Sequence, residues 1–102
     1  MINLVLAEGH NIVRAGVRAL LEKDGGFNLV AEMVTGFEVI DYVSKGMAID
    51  VVLMDMDVPG IGGVEMIGKL KVLSPSTRVI VFTALNHEKN IRDAYAAGAN
   101  GY

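Results

Sequence analysis

The sequence has no cysteine, no tryptophan and only two prolines in 102 residues, and it contains no apolar run of membrane-spanning length. Without cysteine there is no disulfide framework, no thiolate metal centre and no cysteine nucleophile, and a reducing compartment is a natural setting. A membrane span needs about 20 apolar residues. Glu8 breaks the N-terminal apolar stretch before it could serve as the core of a signal peptide. The expectation is therefore a cytoplasmic protein with no membrane partner. Neither sign of charge dominates, since nine Lys and Arg face 12 Asp and Glu for a formal net charge of −3. That balance is too mild for a nucleic-acid surface or an acidic tail, so direct DNA binding by these residues is not expected.

What is present belongs to a globular chain. Apolar residues make up 52% and charged residues 21%, which excludes disordered and collagen-like classes. The length accommodates one core, so residues 1–102 are read as one domain. The apolar pattern changes period at regular intervals. Ile2 to Ala7 is a nearly continuous apolar run, as in a strand buried on both faces. Val13, Val17, Leu20 and Leu21 follow helical spacing up to a Gly25-Gly26 stop. Phe27 to Val34 alternates, as a strand nearer an edge does, and Phe37 to Lys45 is helical with Val39, Ile40 and Val43 inward. Val51 to Met54 forms a third apolar strand ending on Asp55, followed by a turn-rich loop from Val58 to Gly63. Val64, Ile67 and Leu70 give a third helical stripe before Ser74-Pro75. Val79 to Phe82 is a fourth strand, and Ile91, Ala94, Tyr95 and Gly98 mark a fourth helix. Four strand-helix pairs with short connections predict a parallel sheet covered by helices on both faces.

In such sheets ligands bind beyond the carboxyl ends of the strands. That rule selects Glu8, Asp55, Asp57 and Thr83. Two carboxylates about 4 Å apart repel by about 4 kcal/mol at an effective dielectric near 20, so a cluster of them should take up a cation or shift a pKa. Oxygen donors without cysteine favour Mg²⁺, and an Asp beside Mg²⁺ can attack phosphorus to form an aspartyl phosphate. The plainer alternative is that each acid caps a helix or faces solvent. His10 is read as the start of the first helix rather than as an acid, base or ligand. The six Met residues are read as core filler. Gly60-Ile61-Gly62-Gly63 fails the dinucleotide-binding pattern at Glu65.

Four segments together resemble the receiver domain of two-component response regulators, in the subgroup that precedes a LuxR/NarL-type helix-turn-helix output domain. They are Leu6-Ala7-Glu8-Gly9-His10, Val52 to Gly63, Val81-Phe82-Thr83-Ala84, and Ala97 to Tyr102. The resemblance implies a flavodoxin-like (CheY-like) doubly wound α/β fold of strand order 2-1-3-4-5, whose fifth strand and helix are missing from this chain. It further implies a sensor histidine kinase as phosphoryl source, a homodimer, and DNA contact only through an output domain. Carried over by position, Asp55 is the phosphoacceptor, and Glu8 belongs to the acidic pair that holds Mg²⁺. Asp57 offers its backbone carbonyl to the metal, Thr83 is the switch hydroxyl beside the small Ala84, and Tyr102 is the switch aromatic. Two residues depart from the family pattern. Gly9 replaces the second acid of the pair, which weakens or abolishes Mg²⁺ binding, and Gly62 replaces an Asp in the loop. A phosphorylation-independent pseudo-receiver used for dimerisation or docking, and a D-x-D phosphatase built on Asp55 and Asp57, are the competing expectations. The fourth strand is also expected to present an unpaired edge.

Overall fold

Short apolar runs become strands and the segments between them wind into helices. A computed structural model describes residues 1–82 and 88–102, with the order β1 (Ile2–Ala7), α1 (Asn11–Asp24), β2 (Phe27–Met33), α2 (Gly36–Ser44), β3 (Val51–Met54), α3 (Gly63–Leu73), β4 (Arg78–Val81) and α4 (Glu88–Ala97). The strands form one parallel sheet ordered β2-β1-β3-β4. Ala7 pairs with Met54 and Met54 with Val81, so β1, β3 and β4 end side by side.

Alternation along the strands separates the two faces. Val5, Ala7, Val52, Met54, Val79 and Val81 join Val39, Val43, Met66, Ile67, Leu70 and Ala94 of α2, α3 and α4 in one buried cluster. Leu4 and Leu6 are equally buried but point to the opposite side. There Glu32, the partner of Leu6 across the sheet, receives two hydrogen bonds from Arg18 of α1 at 2.8 and 2.9 Å, which places α1 on that face. Each fully buried aliphatic side chain contributes about 1.5–3 kcal/mol, so the two-faced burial of β1 makes it the centre of stability.

Local chemistry sets the helix ends. Thr35 accepts the Glu38 N–H at 3.2 Å while Glu38 reaches back to the Thr35 hydroxyl, a reciprocal cap for α2. Gly25 ends α1 in the left-handed region at φ +77, with its N–H on the Leu21 carbonyl.

Four expectations are corrected. No residue of α1 is fully buried, and Leu20 is 70% exposed; among the described residues α1 is the helix placed on that face of the sheet. On α3 the inward stripe is Gly63, Met66, Ile67 and Leu70, which leaves Val64 exposed, and α4 ends at Ala97 with Gly98 following at φ +119. The edge of β4 is partly occupied: Asn100 N–H donates to the Val79 carbonyl at 2.7 Å, and Val81 N–H to the Gly101 carbonyl at 3.0 Å. Gly101 forms an isolated parallel bridge with Ile80, at the place a fifth strand takes in the order 2-1-3-4-5.

Candidate functional site

The ends of β1 and β3 carry the two acids selected from the sequence. Glu8 leaves β1 with its N–H on the Met33 carbonyl, and Asp55 leaves β3 with its N–H on the Ala7 carbonyl at 3.1 Å. Main-chain bonds from the neighbouring strand thus hold both residues beside each other. Beyond Asp55 the loop folds back on itself. Val58 N–H bonds the Asp55 carbonyl, and Asp57 N–H bonds the Asp55 Oδ1, each at 3.1 Å. These bonds aim the Asp55 carboxylate and leave it partly open to solvent.

Glu8 is the more unusual acid, because its side chain is only 2% exposed. The His10 main-chain N–H at 2.9 Å and ring Nδ1 at 2.6 Å both bond its Oε1. Arg14 donates to the Glu8 backbone carbonyl at 2.8 Å rather than to the carboxylate. His10 occupies the N-cap of α1 without a side-chain capping bond, as expected, yet its ring turns toward Glu8. The sequence reading missed that contact, although two-residue spacing from a strand-end acid was the available signal. Among the described residues, donor atoms of Glu8, His10 and Asp55 all lie within 4.8 Å of one another.

The other expected residues fall around this group. Asp57 is exposed on the loop and its carboxylate is outside the cluster. Tyr102 packs against the core, and its phenol is held above the ordinary value of 10.0, first by burial and then by the negative charges of Asp55 and Asp57. The ring therefore lies within electrostatic reach of both acids. Thr83 and Ala84 lie outside the described residues. In a difference titration of parent against Tyr102→Phe, the Tyr102 phenolate should form above pH 10, and Asp55→Asn should draw that midpoint only part of the way back, since burial is the larger cause. A midpoint indifferent to Asp55→Asn would contradict the proximity.

The fold and site define a receiver domain. A family model described as "Response regulator receiver domain" matches residues 4–102. The chain belongs to that family, as a receiver domain of the LuxR/NarL group of response regulators. It is 37% identical over 102 residues to the response regulator UvrY of Escherichia coli K12, covering all of this chain and 46% of that protein. Identity to the nitrate/nitrite response regulator protein NarL of the same strain is 32% over 99 residues, covering 97% and 45%. The chain thus spans about half the length of the curated relatives it matches. Among solved structures, a LuxR-family response regulator from Aurantimonas sp. superposes with a TM-score of 0.89 at 32% identity, covering 98% of this chain and 71% of that one. The receiver domain of the putative regulator NarL from Mycobacterium tuberculosis gives 0.90 at 26%, covering 98% and 80%. Response regulators partner with sensor histidine kinases, and receiver domains are signalling domains rather than classical enzymes. Among the described residues no helix is long and apolar enough to cross a membrane.

Receiver domains bind Mg²⁺ through acidic residues. Mg²⁺ takes near-octahedral oxygen ligands, and the cluster offers it the carboxylates of Glu8 and Asp55 with the His10 imidazole beside them. Gly9 supplies no ligand, and a Cβ on it would lie 3.0 Å from both Cγ and Cδ of Pro59, so an acid there requires that ring to yield.

Proposed function

We propose that Asp55 is the phosphoacceptor of a two-component switch. The observation that carries this reading is the placement of Asp55: at the tip of a central strand, oriented by the Asp57 N–H, partly open to solvent and beside a buried Glu8. An Asp55 carboxylate oxygen attacks the phosphorus of a phosphohistidine on the kinase. The P–N bond breaks, and the departing imidazole takes up a proton. The product adds negative charge and acceptor oxygens. Thr83 is then the hydroxyl that turns toward the phosphoryl group, and Tyr102 the ring that moves with it, as an aromatic already in the field of Asp55 is placed to do. Asp57 offers its backbone carbonyl to the cation the site holds. The state of the switch passes to a homodimer and to a DNA-binding output domain. In support, a solved structure of Salmonella RcsB, 26% identical over this fold, has it bound to the promoter rprA in the presence of the phosphomimetic BeF₃⁻.

The test is incubation with a small phosphodonor such as an acyl phosphate, read by intact-protein mass. The parent should gain one phosphoryl group and Asp55→Asn none. No increment in the parent under any divalent cation overturns the reading. It would favour the second one, a phosphorylation-independent docking module, for which the missing ligand at Gly9 is the specific observation.

A further inference from the structure

The solvent side of α3 carries a surface that the phosphoryl switch does not use. Glu65, Gly68, Lys69, Val72 and Leu73 recur at helical spacing, on the side of α3 away from its buried stripe of Gly63, Met66, Ile67 and Leu70. Together with Ile40 of α2 they line an open groove of about 490 Å³. We propose that two copies of this chain pair through that groove, their α3 helices crossing antiparallel about a two-fold axis beside Gly68. Three observations carry this. First, the groove keeps apolar surface in water, with Val72 80% and Leu73 48% exposed. Second, Glu65 and Lys69 border it as open charges of opposite sign. The same four-residue spacing joins Asp41 to Lys45 at 3.0 Å, whereas among the described residues the Glu65 and Lys69 side chains make no ion pair and no hydrogen bond. Third, nothing within the chain requires glycine at position 68. An interior glycine weakens a helix relative to alanine, yet Gly68 is not in the left-handed region and a Cβ on it would meet nothing within 4 Å.

A two-fold crossing uses all three features, because such an interface must be complementary to itself. At a rise of 1.5 Å per residue, Glu65 of each copy falls within about 3 Å, along the axis, of Lys69 of the other, so each open carboxylate meets an open ammonium. The Lys69 methylene stem of each copy then lies across Gly68 of the other, where a side chain would hold the helices apart. Ile40, Val72 and Leu73 close the groove around these pairs. The inference concerns the unphosphorylated chain and does not depend on Asp55 accepting a phosphoryl group.

The experiment is sedimentation velocity on the unphosphorylated 102-residue chain over about 10 µM to 1 mM, the range of weak interfaces, with thermal unfolding of each variant. The parent should dimerise reversibly, and less tightly as NaCl rises. Glu65→Lys alone and Lys69→Glu alone each set like charges against each other twice and should weaken the dimer by about tenfold or more. An equimolar mixture of these two variants should associate again, as should the double variant Glu65→Lys/Lys69→Glu, a rescue that a role in folding does not produce. Gly68→Leu should be monomeric without a lower unfolding midpoint. Leu20→Lys, on the exposed face of α1, should leave the dimer unchanged. A parent that stays monomeric throughout, a dimer that Lys69→Glu and Gly68→Leu leave intact, a mixture no tighter than its components, or loss of the dimer in Leu20→Lys would each overturn the proposal.

Discussion

Leu70→Ala is expected to lower the unfolding free energy by about 2–5 kcal/mol, whereas Val72→Ala, two residues on along the same helix, should stay within about 0.5 kcal/mol. Leu70 is fully buried where α3 meets the sheet, and Val72 is 80% exposed. Truncating Leu70 removes its transfer free energy and leaves a cavity that the strands beneath cannot collapse to fill. Truncating Val72 removes methyl groups that already face water. Urea unfolding checks the pair: the Leu70→Ala midpoint should fall sharply at an unchanged slope. Equal midpoints for the two variants would mean that α3 does not seat on the sheet as described.

Gly63→Ala should be the more damaging member of a second adjacent pair. A Cβ on Gly63 would lie 2.6 Å from the Met56 carbonyl oxygen and 3.0 Å from the Met56 Cα, both backbone atoms that cannot swing aside. The collision falls on the loop between Asp55 and Asp57. The variant should therefore lose about 1–3 kcal/mol or more of stability and also react more slowly with a phosphodonor. Gly62→Ala meets nothing within 4 Å and sits at φ −58. Its poorer helix cap and its reduced unfolded-state entropy oppose each other, for a net change within about 1 kcal/mol. Denaturation midpoints and initial phosphorylation rates, measured on both variants, test the contrast. A Gly63→Ala protein as stable and as reactive as the parent would show that the start of α3 is not packed on the loop.

The same loop shows where sequence reading stopped. Gly60, Gly62 and Gly63 read alike as turn formers, yet they are held for different reasons. Gly60 has φ +94 and faces the Phe37 ring, Gly62 is unconstrained, and Gly63 touches backbone. Composition signals the turn, but only the approach of Met56 distinguishes the residues within it. The helices behave similarly. Spacing located α1 and α3, but it turned their apolar stripes toward a covering they only partly have, because what covers a helix depends on the other elements on that face of the sheet.

What the sequence by itself determined is the succession of strands and helices, the parallel sheet and the placement of Glu8 and Asp55 at strand ends. Each follows from local pattern: apolar runs of four to six residues, helical spacing between them, and an acid where the run stops. Tertiary structure decided what those acids meet. The pairing of Ala7 with Met54 brings Glu8 beside Asp55, and the entry of the chain into α1 turns the His10 ring onto a buried carboxylate. The return of Asn100 and Gly101 along β4 occupies an edge that the sequence had left open. Those contacts join residues 20 to 47 positions apart, or depend on the angle at which one element leaves another. No periodicity encodes such distances, and packing alone sets them.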